Sequence, residues 1–179
     1  MSGGCPRQSF GAHLSVAGGL DRAFDLAEAI GCDCLQVFVK NQRQWGAPPL
    51  RDEQIRAFRE AQSRTGIRPV IAHASYLLNL ASPALVGRRR TARCLLAELE
   101  RCEALGIPFL VVHPGAHLGE GVDAGLRRVA AGLDAIHAAT AGFTTRILLE
   151  TTAGQGTHLG HEIPQLGRVM ALARDPDRL

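Results

Sequence analysis

The chain has 179 residues, 46% of them apolar and 21% charged, with 20 Gly and 9 Pro; these are globular proportions and exclude wholesale disorder, collagen and coiled coil. A net charge of +3 is too mild to indicate a nucleic-acid partner by itself. No apolar run approaches the roughly 18 residues that cross a bilayer, and Met1–Phe10 lacks the apolar segment of a secretory leader, so a cytoplasmic protein with no membrane partner is expected.

The first apolar run, near residues 9–14, reads as a strand, and Leu20, Ala23, Phe24, Ala27 and Ile30 then form one helical stripe. From here one layout recurs: an apolar-periodic helix, a glycine, then a short β-rich run. The glycines are Gly31, Gly66, Gly106 and Gly142, each where a helix end favours a positive φ. The runs that follow cover residues 35–39, 69–72, 109–112 and 147–149. They are continuously apolar, as for parallel strands covered on both faces. Ser82 with Pro83 suits the start of the third helix, and Asp123 suits an N-cap for the fourth. The fourth helix carries Leu126, Val129, Ala130, Leu133 and Ile136, with His137 facing solvent. A last helix is expected near residues 163–173. The five cysteines (Cys5, Cys32, Cys34, Cys94, Cys102) follow neither a disulfide nor a zinc-knuckle spacing and read as reduced thiols in the core. Alternating βα units of this length imply one α/β domain over residues 1–179 with a parallel sheet, doubly wound or a barrel.

Nearly all the chemistry falls just after the strands, where parallel α/β folds build their active sites. His13, His73, His113 and Glu150 close four of the five strand segments. One such histidine is ordinary, but three with a glutamate at matching positions form the ligand set that Zn²⁺ prefers. His117, past a Pro-Gly turn, suits a ligand, a supporting or a substrate role; His158 and His161 are left without one. The single Trp45 and single Tyr76 also lie in these loops. Trp45 serves either as a loop anchor or, beside Gln42, Arg43 and Gln44, as a flat wedge of the kind that unstacks DNA. Arg88, Arg89 and Arg90 read as a solvated helix face. A zincin helix, a nucleotide-phosphate loop, a dinucleotide fingerprint and a serine nucleophile elbow are all missing.

Six blocks in register carry a resemblance: GAHLSVAGGL at 11–20, NQRQW at 41–45, HASYLLNL at 73–80, RCEALG at 101–106, HPGAHL at 113–118 and ETTAGQG at 150–156. Together they resemble the endonuclease IV family, the zinc-dependent apurinic/apyrimidinic (AP) endonucleases of base-excision repair. The resemblance implies a TIM (β/α)8 barrel, of which this chain covers about five βα units, and a site of three zinc ions at its C-terminal rim. By resemblance, His73 and His113 would hold one zinc and Glu150 would bridge it to a second, the three forming the catalytic centre. His13 would support the site, and His117 would lie beside it. Arg43, Gln44, Tyr76 and Leu77 would enter double-stranded DNA at the abasic site, while Trp45 and Gln155 would line the DNA-binding surface. The implied reaction is hydrolysis of the phosphodiester 5′ to an abasic nucleotide, with removal of 3′-blocking groups as a second activity. The family members are mostly monomeric.

The family's remaining zinc ligands, on strands six to eight, have no counterpart in these 179 residues. The chain is therefore expected to be a truncated piece of such an enzyme, inactive alone for want of those ligands, and poorly soluble or partly unfolded because two sheet edges stay unpaired. Two other readings stand beside it. Metal-dependent sugar isomerases and epimerases of the xylose-isomerase-like group place His and Glu at the same strand ends. A non-catalytic abasic-DNA-binding remnant would keep the loops without the chemistry.

Overall fold

The computed structural model describes residues 8–179. Cys5 and most of Met1–Phe10, read above as a core thiol and as a start without a leader, fall outside the described residues. Five strands and five helices alternate: β1 (Gly11–His13), α1 (Arg22–Ala29), β2 (Cys34–Phe38), α2 (Asp52–Thr65), β3 (Val70–His73), α3 (Leu85–Leu105), β4 (Phe109–Val112), α4 (Val122–Ala139), β5 (Arg146–Leu149) and α5 (Ile163–Leu172). Every neighbouring pair is parallel, and the strand order is β1-β2-β3-β4-β5. An unbroken sequential order decides between the two parallel architectures. A doubly wound sheet reverses direction part-way to place helices on both faces, whereas sequential right-handed crossovers put them all on one. The helices pack accordingly, each on the next from α1 to α5.

One face of each strand is therefore covered by helices and the other lines the concave side. Leu35, Val37, Val70, Ala72, Leu110, Val112 and Ile147 point to the helix layer and are at most 2% exposed. Cys34, Gln36, Phe38, Ile71 and Leu148, on the alternate parity, are only half-buried. The apolar runs thus reflect a barrel wall and not a sheet sandwiched between two helix layers. Phe24 of α1 and Phe58 of α2, both fully buried, meet edge-on with centroids 5.0 Å apart. Truncating either to alanine costs about 3–5 kcal/mol by the usual measure of large core deletions.

The helix boundaries correct several readings. α3 starts at Leu85 behind Ala84, two residues past the Ser82–Pro83 start. Ser82 instead bonds the Ala84 amide, and the Arg88 guanidinium donates to the Ser82 and Pro83 carbonyls at 2.7 Å each. Arg88 is thus tied to its own helix start, not solvated. α4 is capped by Gly121, with Asp123 in its first turn, where a carboxylate favours the helix dipole. Ile30 lies beyond the end of α1 and is 63% exposed. His137, read as solvent-facing, is only 6% exposed, because α5 and the last turn lie against α4. There the Arg178 guanidinium donates to the His137 carbonyl at 3.0 Å. Cys94 and Cys102 are buried and Cys32 and Cys34 half-buried, all four as free thiols.

Candidate metal centre and its flanking loops

A parallel strand places residues i and i+2 on the same face, and the register then determines which side chains meet. Phe38, His73 and Val111 are paired across β2, β3 and β4, and Val111 pairs with Leu148 of β5. His113 and Glu150 each stand two residues beyond, on the same concave face and one row nearer the C-terminal rim. The result is a convergence of donors. His73 Nε2 lies 3.1 Å and His113 Nε2 3.4 Å from Glu150 Oε2. Ligand atoms of all three fall within 4.8 Å of one another, the single such group among the described residues.

The tautomer of His73 follows from its other nitrogen. Nδ1 lies 2.7 Å from the Ala74 carbonyl, which can only accept, so Nδ1 carries the proton and Nε2 of the neutral ring presents a lone pair. A lone pair facing a carboxylate oxygen is favourable only with a cation or a proton between them. The 3.1 and 3.4 Å separations match the edge of a tetrahedron with bonds of about 2.0–2.1 Å, roughly 3.3 Å. Two imidazole nitrogens and a carboxylate oxygen are also the donor types zinc prefers, so the residues fit the metal. His113 Nδ1 is buried with no hydrogen-bond partner among the described residues, so this ring is held less firmly than His73.

His13 does not join the donor group. It ends β1, with its ring 4.4 Å from Phe38 and 5.9 Å from His73. Desolvation and then the charge of His73 push its pKa down, against a hydrogen bond with Gln36 and the charge of Glu150. His117 stands apart as well: its Nδ1 accepts the Gly121 amide at 3.1 Å, which anchors the start of α4. His158 and His161 bond the Gln155 and His158 carbonyls through Nδ1 and so brace their own loop.

The loops carrying the expected DNA-facing residues surround this group. Tyr76 is 64% exposed, with its ring 5.5 Å from His73 and 5.4 Å from Phe38. Leu77 is half-buried, whereas Arg43, Gln44 and Gln155 are exposed. Trp45 is half-buried and packs on the core, with the Arg90 guanidinium 4.2 Å above its ring. Arg90 is therefore engaged with an aromatic face and is not part of a plain solvated surface. A cleft of about 720 Å³ opens between the β3, β4 and β5 loops, with Tyr76, Leu77, His113 and Gln155 in its walls.

Several residues that hold these loops have no role in the sequence reading. The Asn79 side chain pairs with the Ala116 backbone through two 3.0 Å hydrogen bonds, locking the β3 loop to the β4 loop. The β4 loop is tied to the β5 loop by the His117 amide on the Thr157 carbonyl and the Leu159 amide on the Gly115 carbonyl. Beneath the β2 and β3 loops lies an ion pair, Lys40 Nζ to Glu98 Oε1 at 2.9 Å, with side chains 2% and 1% exposed. Burial pushes the Glu98 carboxyl up, while Lys40 and the Ser75 amide pull it down. A signal existed for this pair: Glu98 sits on the apolar stripe of α3 between Cys94 and Cys102, and Lys40 is the chain's one lysine.

This sequential arc of parallel strands, with two histidines and a glutamate gathered at its C-terminal rim, is part of a TIM barrel. The chain belongs to the xylose isomerase-like TIM barrel family, whose sequence profile matches residues 24–179. Within that family it is a homologue of endonuclease IV. It is 51% identical over 170 residues to a Chloroflexus aggregans protein named "Probable endonuclease 4", over 95% of this chain and 59% of that protein. A Geobacter sulfurreducens protein of the same name is 43% identical, over 94% of this chain and 57% of its own length. The crystal structure of endonuclease IV from Thermus thermophilus superposes with a TM-score of 0.81 at 30% identity, over 93% of this chain and 60% of that one. A D-tagatose 3-epimerase-like protein superposes at 0.72 with 20% identity, over 90% of this chain and 60% of that one, a likeness of fold alone. The chain spans about 60% of the length of the relatives it matches.

Proposed function

We propose that this chain carries the first zinc site and the DNA-entering loops of an AP endonuclease, which hydrolyses the phosphodiester 5′ to an abasic nucleotide and also clears blocked 3′ ends. The observation that carries the reading is the convergence of His73 Nε2, His113 Nε2 and a Glu150 oxygen beside an exposed Tyr76. His73 and His113 would hold one zinc, and Glu150 would reach from it toward a second. Bound zinc supplies Lewis-acid activation of water and charge stabilisation at phosphorus. The chain's own part is to orient and bind. The Ala74 carbonyl holds the His73 proton at Nδ1, which keeps Nε2 free to ligate. His13 stands behind the ligands, and His117 fixes the loop that leads from His113 into α4.

Arg43 offers a guanidinium to backbone phosphate, and Gln44 and Gln155 offer amides to the duplex edges. Tyr76 and Leu77 present an apolar wedge to the gap where a base is missing, and Trp45 backs the Arg43–Gln44 loop. Extruding an abasic sugar is inexpensive because no base must be unpaired or unstacked, so a wedge and a shallow pocket suffice. The small sugars of the epimerases need no exposed Arg-Gln-Trp loop, and that loop separates the two readings.

The test is a 5′-labelled duplex with one abasic analogue, assayed with zinc and with chelator, beside a panel of ketoses. Zinc-dependent nicking 5′ to the lesion, leaving a 3′-hydroxyl, is expected of the complete catalytic unit. Ketose turnover without nicking would overturn the proposal. Tighter binding of the abasic over the intact duplex with no incision, zinc saturated, would reduce the role to recognition.

A further inference from the structure

The Lys40–Glu98 ion pair sits under the loops that follow β2 and β3, and its bonds reach both loops and the 74–75 peptide on which His73 rests. Lys40 Nζ donates to Glu98 Oε1 at 2.9 Å, to the Gln44 carbonyl at 2.6 Å and to the Asn41 carbonyl at 3.5 Å. Three donors radiating from a compact ammonium suit this arrangement, and the planar fork of an arginine does not. On the other side, both Glu98 oxygens accept the Ser75 amide at 3.2 Å, and the Ser75 hydroxyl donates to the Gln42 carbonyl at 2.6 Å. Arg101, on the same helix, donates to the Val39 and Pro48 carbonyls at 2.6 and 2.9 Å. The β2 loop is thus strapped to α3 by its carbonyls, which leaves the Arg43 and Gln44 side chains exposed.

The Ser75 amide and the Ala74 carbonyl belong to one peptide group. That carbonyl is the one that accepts the His73 Nδ1 proton. Glu98 on the N–H end polarises the peptide and strengthens its carbonyl as an acceptor, which holds the His73 ring in the orientation that leaves Nε2 facing Glu150. This is the effect of a carboxylate behind a ligating histidine, relayed through a single peptide.

Resting on the function proposed above, we infer that Lys40 and Glu98 are positioning residues that couple the DNA-entering loops to the metal donor His73. The ion pair holds the Asn41–Trp45 and Ser75–Leu77 loops in one arrangement and, through the 74–75 peptide, orients the ligand. The sole tryptophan lies in the strapped loop, so its emission reports loop order without any reliance on DNA.

The experiment compares the full chain with Lys40→Met, Glu98→Gln and the double variant Lys40→Met/Glu98→Leu. Readouts are far-UV circular dichroism, acrylamide quenching of Trp45, Co²⁺ binding by its visible d–d bands, and affinity for abasic against intact duplex. An apolar pair can replace a buried ion pair without loss of fold, so the double variant is the control for folding. Lys40→Met is expected to raise Trp45 quenching about twofold or more. Glu98→Gln keeps an acceptor for Ser75 but loses the charge, and is expected to weaken Co²⁺ binding by about tenfold, within the range for groups behind a ligand. The double variant should keep its helical signal and show both defects. Folded variants with unchanged quenching and unchanged Co²⁺ affinity would overturn the inference, as would a double variant that cannot fold, which makes the pair a folding element only. If quenching and Co²⁺ binding change while neither wild type nor variants discriminate abasic from intact duplex, the coupling stands and the DNA reading falls.

Discussion

His73 shows how much one side chain depends on its immediate neighbours. The Ala74 carbonyl sets its tautomer, and Glu150 faces the remaining nitrogen at 3.1 Å. His73→Ala and His113→Ala should each lower zinc affinity more than about a hundredfold, beyond the roughly 10–100-fold that loss of a group behind a ligand produces. Competition against a colorimetric chelator measures this, and unchanged affinity in both variants would remove the centre. His137 gives a prediction about pH. Burial, and then the charge of Arg178, hold its imidazole below the ordinary value of about 6.5, while Asp175 and Asp134 act in the opposite direction. Between the depressed folded value and about 6.5 the unfolded chain binds the proton more readily. Its contribution is therefore present above that range and is lost as pH falls through it. Neither ring nitrogen has a hydrogen-bond partner among the described residues, so His137→Leu removes no bond. That variant should flatten the fall in melting temperature from pH 7.5 to 5.5; an identical fall in wild type and variant would contradict the assignment.

At the scale of elements, the rim loops are joined in series, β2 to β3 through Lys40, Glu98 and Ser75, β3 to β4 through Asn79, and β4 to β5 through Thr157 and Leu159. Gly115 lies at the Asn79 joint with φ +97°, and a Cβ there would come within 2.9 Å of the Asn79 Cα as well as against its side-chain oxygen. Gly106, the C-cap of α3 at φ +73°, has open space around a Cβ. Gly106→Ala should therefore cost only the left-handed backbone penalty, about 1–2 kcal/mol. Gly115→Ala adds a clash with backbone and should cost more and weaken zinc binding through displacement of His113. Thermal melts with zinc titrations compare them, each kcal/mol moving the melting temperature by about 2–4 °C at this size. Equal costs would mean that the β3 loop yields freely. Asn79 lies in a recognised block, but its pairing with Ala116 has no local signature, because the partner is 37 residues away.

Across the whole molecule, the sheet is an open arc in which β1 and β5 each pair on one side only among the described residues. Its concave face is half-buried, and Phe10 and Ile163 are 69% and 75% exposed. Unpaired edges of this kind recruit further strands. The 179-residue chain by itself should associate with rising concentration in sedimentation velocity and bind an apolar dye; a monomer at high concentration with a sharp cooperative melt would refute this. No described helix is long and apolar enough to cross a membrane.

The repeat of helix, glycine and strand was legible because each signal is local. Gly31, Gly66, Gly106 and Gly142 all have positive φ, and periodicity marks strands and helices without knowledge of their partners. The His and Glu at the strand ends were legible for the same reason, since one position recurs in each unit. Helix starts were less so: Ser82 and Asp123 are good caps by type, but Arg88 and His117 supply competing bonds from outside the local pattern. The side of a helix that meets solvent was misjudged at His137 because α5 and Arg178, about 40 residues later, cover it. What the sequence by itself determined is therefore the alternation of elements and the chemical identity of the rim. Only the tertiary structure decided that the strands run in sequential order with helices on one face, that Nε2 of two histidines and one carboxylate oxygen meet, and that Lys40 finds Glu98. Those outcomes depend on register and on distances between residues far apart in the chain, which no local propensity encodes.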